Sequence, residues 1–235
     1  MSISIVVGGT RGIGLVITDK LKARGDNVYT VSRSGSGNDL HISVDLLDIK
    51  RVELAFSSLG EIDTVRNLVF SQRYRGNGDF DSESTIMLQS TQVIIESLIP
   101  FFAESASIVV LGSSLGKFIG EEQSLLYHLS RAALEQLVRY YAVSLGDKGI
   151  RVNCVVPGTV LKPEHSAVDK NRIKASLQVT VPLKRVGTAE DVADAVAFFC
   201  SDRSSFITGQ SILVDGGVSL LSQESLSKKF GQRNS

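Results

Sequence analysis

Tryptophan is absent from the 235-residue chain, and aromatic residues make up only 6% of it. So few rings leave little from which to build base-stacking platforms for nucleic acid. Neither sign of charge is in excess, because 25 basic residues balance 25 acidic ones. Electrostatics therefore give no argument for nucleic acid or an anionic membrane as partner. There are two cysteines, Cys154 and Cys200, each inside an apolar run. Two cannot make a disulfide framework, and no C-x-x-C or Cys/His cluster suggests a metal. The expectation is two buried thiols in a reducing compartment. No apolar run approaches the length of a membrane span. The opening residues Met1-Ser2-Ile3-Ser4-Ile5-Val6-Val7 lack a basic n-region and a cleavage site. They read as a strand rather than a signal peptide, and the expected location is cytoplasmic.

What the chain does have is apolar content, 43% of residues, and a length suited to one large α/β domain. Short Val/Ile/Leu runs at 3–7, 27–31, 41–44, 68–70, 107–111, 151–156 and 211–214 read as strands buried on both faces. Between them, segments of helical period lie at 14–24, 49–59, 84–102, 125–146 and 189–201. In the fourth, Leu126, Leu129, Ala133, Leu137, Tyr140 and Tyr141 form one apolar stripe. The alternation predicts a single-domain, Rossmann-like, doubly wound parallel sheet of about seven strands flanked by helices. Residues 1–219 form that domain, and the polar tail 220–235 is expected to fray.

The first strand runs into Gly8-Gly9-Thr10-Arg11-Gly12-Ile13-Gly14 and then an apolar helix. Glycines there permit a tight turn and close approach of backbone to a pyrophosphate, while the helix N-terminus offers free N–H groups. At the end of the second strand, Val31-Ser32-Arg33-Ser34 carries no acid to hold an adenosine ribose. Arg11 and Arg33 would instead suit a 2′-phosphate, unless both are solvated surface residues. NADP(H) is the expected cofactor and NAD(H) the alternative.

Ser114 precedes Tyr127 by thirteen residues, a separation at which both hydroxyls could flank one carbonyl oxygen. Together with the glycine loop, Pro157-Gly158 and the runs 182–193 and 207–217, they resemble the short-chain dehydrogenase/reductase family, with similarity to 3-oxoacyl-(acyl-carrier-protein) reductase-like members. Gly8, Gly12 and Gly14 fall on the family spacing, although Val7 stands where a Thr is usual. The resemblance implies that Ser114 orients a carbonyl or hydroxyl while Tyr127 passes a proton and hydride moves to or from the nicotinamide. It implies contacts to the cofactor from Gly8, Thr10, Arg11, Gly12, Ile13, Gly14, Ser32, Arg33 and Asp45, and from Pro157, Gly158 and Val160. It also implies a homotetramer or homodimer, with the helix of Tyr127 in the interface and a substrate lid at about 162–180.

Four departures surround this pattern. Arg131 replaces the lysine four residues after the tyrosine; it keeps the charge but cannot give up a proton. The position of the relay Asn, counted back from Pro100, falls on Met87. The family's Asn-Asn-Ala-Gly after strand four is absent, leaving Phe70-Ser71-Gln72-Arg73 in its place; matching Asn67 to the motif instead would put Arg66 inside a buried strand. The Thr expected five residues after Pro157 is Lys162, although Val160 keeps its apolar position. Arg73, Arg75, Lys117 and Lys162 lie on loops leaving the carboxyl ends of strands, where ligands bind in open α/β sheets. They could recognise a carboxylate, a phosphate or a phosphopantetheine arm, or form a solvated rim with Glu121 and Glu122. His165, in the lid, reads as a surface residue, and His128 turns away from the Tyr127 face. The expected function is NADP(H)-dependent hydride transfer with a small carbonyl or secondary alcohol. The alternatives are an impaired or non-catalytic nucleotide-binding subunit, or a scaffold with non-redox chemistry such as isomerisation.

Overall fold

The computed structural model describes residues 2–35, 40–61, 64–76, 79–161, 166–168, 170–171 and 177–231. Lys162, His165 and much of the expected lid lie outside them. Among the described residues, seven parallel strands form one sheet. They are β1 (Ile3–Val7), β2 (Asn27–Ser32), β3 (His41–Ser43), β4 (Val65–Phe70), β5 (Phe102–Leu111), β6 (Arg151–Pro157) and, after a two-strand ribbon of β7 (Val160–Leu161) and β8 (Gly187–Thr188), β9 (Ser211–Val214). The order is β3-β2-β1-β4-β5-β6-β9, the doubly wound arrangement expected. Its direction reverses between β1 and β4, which opens a crevice at their carboxyl ends.

The unbroken apolar runs arise because each strand is buried on both faces. Ile5 and Val7 of β1 join Ile108 and Val110 of β5 on one side, while Val6 and Val109 point to the other. The first side is covered by α2 (Ile49–Ser57), α4 (Ser90–Leu98) and α5 (Leu125–Ser144); the second by α1 (Gly12–Ala23) and the helix Ala189–Phe199. Phe56 and Phe70 are fully buried on the first side and Phe199 on the second. Each such side chain contributes roughly 1.5–3 kcal/mol by leaving water.

Three sequence expectations are corrected. β4 begins at Val65, so Arg66 does lie within a strand. It is tolerated because its guanidinium leaves the sheet, donating to the Glu104 carbonyl at 3.1 Å and Ser105 Oγ at 2.8 Å and pairing with Asp202. Of the stripe from Leu126 to Tyr141, only Tyr141 belongs to the buried face of α5. That face is Ser130, Arg131, Leu134, Glu135, Val138, Tyr141 and Ala142, and two charged residues within it hide it from a hydrophobicity pattern. Leu129 and Tyr140 are exposed instead. The tail, expected to fray, is helical over Gln223–Gly231.

Candidate active site

A pocket of about 400 Å³ opens at the carboxyl ends of β1, β4, β5 and β6. Its floor is the glycine loop. A Cβ on Gly14 would stand 2.1 Å from the Gly8 carbonyl oxygen, and one on Gly8 would stand 2.8 Å from the Gln72 nitrogen. No larger residue fits at either place without moving backbone. Above the loop, α1 starts with no side-chain cap and no acidic residue in its first turn. By contrast α2, the helix Phe80–Ser84 (α3), α5 and the helix Ala189–Phe199 are capped by Asp48, Asp79, Ser124 and Thr188. The free N–H groups of α1 thus face the pocket with the positive end of the helix dipole, where an anion is stabilised.

Two further polar side chains, Gln72 and Arg131, line this space, and each keeps one buried polar atom without a partner among the described residues. Gln72 is buried and lines the pocket. Its amide nitrogen is fixed on Thr91 Oγ1 at 2.9 Å, which leaves Oε1 with no partner among the described residues. Arg131 Nε is also buried without a partner. A cradle that excludes Cβ atoms and an uncapped helix start together fit a dinucleotide with a pyrophosphate.

Ser124 sets the tyrosine. As the cap of α5 its Oγ accepts from the Tyr127 N–H at 3.2 Å, which puts Tyr127 in the first helical turn, on the pocket wall. One turn on, Arg131 is only 3% exposed. Its guanidinium carbon lies 4.7 Å from the centre of the Tyr127 ring, and that of Arg73 lies 5.3 Å from the same ring. Arg131 donates to the Leu111 carbonyl at 3.4 Å. Burial pushes its guanidinium below its ordinary value, against opposing pulls from Tyr127 and Glu83. Glu83 is itself buried and accepts from Ser130 Oγ at 2.7 Å. A buried cation without a nearby opposite charge would be strongly unfavourable, and Glu83 supplies that charge from α3. Met87 is in the core within a π-helical turn, Thr85–Gln89, and its carbonyl accepts from Thr91 Oγ1 at 2.9 Å.

Of the residues singled out in the sequence, Arg11, Gly12, Ile13, Gly14, Tyr127, Arg131, Pro157, Gly158 and Val160 line this one pocket. Ser114 does not line it. Its neighbour Ser113 does, accepting from the Leu115 N–H at 3.3 Å, while Ser114 begins a short 3-10 turn. Gly8 lies beneath the loop, its N–H donating to the Val31 carbonyl at 2.8 Å, and Thr10 is half-buried outside the lining. Ser32, Arg33 and Asp45 sit at the ends of β2 and β3, beyond the pocket. There Ser32 Oγ bonds the Ser34 carbonyl at 2.7 Å, Arg33 is exposed, and Asp45 accepts from the Leu47 N–H at 3.1 Å. Lys117 is drawn to the buried Glu135 at 3.3 Å, while Arg73 and Arg75 line the pocket and Glu121 and Glu122 do not. His128 ties its own loop, accepting from the Gly120 N–H at 3.0 Å. The sequence reading missed Ser113, Gln72 and Glu83 as parts of the site. The doubled serine was the only visible signal, because Gln72 and Glu83 acquire their roles from the packing of α3 and α4.

A family model described as enoyl-(acyl carrier protein) reductase matches residues 7–219. L-xylulose reductase of Bos taurus is 32% identical over 234 residues, spanning 91% of this chain and 95% of its own. A 3-oxoacyl-(acyl-carrier-protein) reductase of Aquifex aeolicus is 28% identical over 240 residues, spanning 92% and 96%. Among solved structures, a blue fluorescent protein from a metagenomic library, in complex with NADPH, aligns with a TM-score of 0.81 at 26% identity, covering 93% of this chain and 98% of that one. Ligand-free aldohexose dehydrogenase of Thermoplasma acidophilum shares the fold, with a TM-score of 0.84 at 24% identity over 94% and 95% of the two chains.

Proposed function

The chain belongs to the short-chain dehydrogenase/reductase family of nicotinamide-dependent oxidoreductases, and on that premise we propose that it moves a hydride between NADP(H) and a carbonyl or secondary alcohol of a small molecule. One observation carries this reading: Gly12 and Gly14 of the cradle, at the uncapped start of α1, and Tyr127 line a single pocket. When bound, the nicotinamide supplies or accepts the hydride.

The residues of the chain do the rest. The N–H groups of α1 hold the pyrophosphate, and Arg11, at the pocket edge, favours NADP(H) because the end of β2 offers no carboxylate to a ribose 2′-hydroxyl. Gln72 and Arg131, whose side chains line the pocket, bound the space for the ribose. Pro157, Gly158 and Val160 bound the nicotinamide end. In reduction, Tyr127 gives its phenolic proton to the substrate oxygen as the hydride reaches the carbonyl carbon, and it regains a proton from solvent. Arginine does not release its proton in proteins, so Arg131 acts by charge and position rather than as a relay. Ser113, whose oxygen accepts from the Leu115 N–H, is free to donate its own O–H to the substrate oxygen. It therefore takes the role that spacing alone gives Ser114.

The reading extends to assembly. Leu125, Leu129, Tyr140 and Val143 of α5 are exposed on the outer face, which suits a homodimer or homotetramer built on this helix. The test is binding of NADPH against NADH by calorimetry, followed by NADPH oxidation across ketones and keto acids by wild type and Tyr127→Phe. Turnover lost in the variant with cofactor affinity kept supports the reading. Equal turnover removes Tyr127 as proton donor. Binding without any turnover favours a nucleotide-binding subunit.

A further inference from the structure

Charge in the pocket is one-sided. Four arginines, Arg11, Arg73, Arg75 and Arg131, line it, and among the described residues no Asp or Glu does. Arg11 is at the glycine loop, but Arg73 and Arg131 stand over the ring of Tyr127, 5.3 and 4.7 Å from its centre. A carbonyl that takes its proton from Tyr127 must lie beside both.

The two cations are differently provided for. Arg131 is buried, bonded to the Leu111 carbonyl, and has the carboxylate of Glu83 acting on it. Arg73 is exposed at the pocket wall and makes no ion pair among the described residues. Its one hydrogen bond there is to the neutral Gln123 Oε1, at a long 3.4 Å. The Arg73 guanidinium disfavours the charge of Arg131, and the two stand over one ring, an arrangement that an anion would relieve. Lys117 is not available to share this work, because Glu135 holds it. A glycine at position 73, as in the family motif, could make none of these contacts.

We infer that Arg73 is the anion-binding residue of the substrate site, and that the substrate is a small carbonyl or hydroxy compound carrying a carboxylate or phosphate a few bonds from the reacting carbon. This rests on the oxidoreductase reading above. The anion meets the forked donors of Arg73 at the pocket mouth, a geometry that guanidinium satisfies bidentately. Arg131 reinforces the field from behind the tyrosine.

The test uses the NADPH-loaded enzyme with paired substrates: acetoacetate against methyl acetoacetate, and dihydroxyacetone phosphate against dihydroxyacetone. The first pair reports a carboxylate, the second a phosphate. Wild type is expected to prefer the charged member of one pair by roughly 10- to 100-fold in kcat/KM, expressed mainly in KM, as for one charge-assisted hydrogen bond. Arg73→Gln brings that ratio toward one. Arg203→Gln, the same charge change at an exposed residue of the turn Asp202–Ser204, outside the pocket lining, keeps it. A ratio near one in wild type, or one that survives in Arg73→Gln, overturns the inference. So does an equal loss on charged and neutral members, which would mean that Arg73 acts through Tyr127. So does a weakened affinity for NADP⁺, which would assign Arg73 to the dinucleotide. If wild type turns over none of the four, the oxidoreductase reading fails on this panel and the anion site is read separately. Calorimetry of acetoacetate and dihydroxyacetone phosphate with the enzyme–NADP⁺ complex then either shows binding that weakens about tenfold in Arg73→Gln, or shows none and refutes the site.

Discussion

Replacing Gly14 by alanine isolates the physics of the cofactor cradle. The added methyl would stand 2.1 Å from the Gly8 carbonyl oxygen and 3.0 Å from Ser71 Oγ, whereas ordinary contact begins at 3.4 Å. The obstacle is backbone, so no rotamer change relieves it, and the β1–α1 loop must open by roughly 1.3 Å. Overpacking of this kind costs about 1–3 kcal/mol, which in a chain of this length lowers Tm by roughly 2–4 °C per kcal/mol. The loop also carries the N–H groups that meet the pyrophosphate. A displacement of about 1 Å at such a site can cost on the order of 100-fold, so cofactor affinity should fall more steeply than stability. Gly146→Ala is the control. Gly146 has open space around its Cβ position and no positive φ, and alanine there should be neutral or stabilise by about 0.4–1 kcal/mol. The assay is a thermal melt of each variant with and without NADPH, beside a fluorescence titration of NADPH. Gly14→Ala with wild-type Tm and wild-type affinity would refute the assignment of this loop as a close-fitting cradle.

Further outcomes follow from the same geometry. Ser113→Ala is expected to lower kcat by about 100-fold, within the range for losing one donor to a developing oxyanion, and Ser114→Ala to lower it far less. The reverse order, in parallel turnover assays, would return the role to Ser114. Arg185 bonds Asp191 through both carboxylate oxygens, at 2.6 and 2.7 Å, and holds that carboxyl at about 2 against an ordinary 3.8. A depressed folded value means that stabilisation is complete above about pH 4 and is lost as pH falls through about 2. Asp191→Asn, which also removes half of the Thr188 capping box, should cost about 1 kcal/mol at neutral pH. It should also flatten the dependence of Tm on pH across that window, and an unchanged slope would count against the pair. Burial pushes the thiols of Cys154 and Cys200 up to about 12. Native protein should therefore resist iodoacetamide at neutral pH and take up two labels only after unfolding, as mass spectrometry would show.

Much of this molecule was legible before folding because period and position carry it. The runs at 3–7 and 107–111 are apolar at every residue or nearly so because helices cover both faces of the sheet, and that alone separates a buried parallel strand from a half-solvated one. The glycine loop was legible because a tight turn before a helix tolerates no Cβ. Arg66 was misjudged because its fate depends on where a long side chain can exit, and the Glu104 carbonyl and Asp202 that receive it come from distant segments. The inner face of α5 was misjudged because Arg131 and Glu135 look like surface residues until Glu83 and Lys117 are packed beside them.

The amino-acid order by itself determined the alternation of strands and helices, the cradle at the first turn and the presence of a tyrosine followed one turn later by a cation. These are local matters, settled by spacing along one element. Only the tertiary structure decided that Ser113 rather than Ser114 lines the pocket, that Gln72 is anchored on Thr91 at its wall, and that Arg73 and Arg131 meet over one ring. Those residues come from β4, β5 and α5 and from the loops between them. Their distances are set by the register of the sheet and the packing of helices on it, quantities that no spacing within a single element encodes.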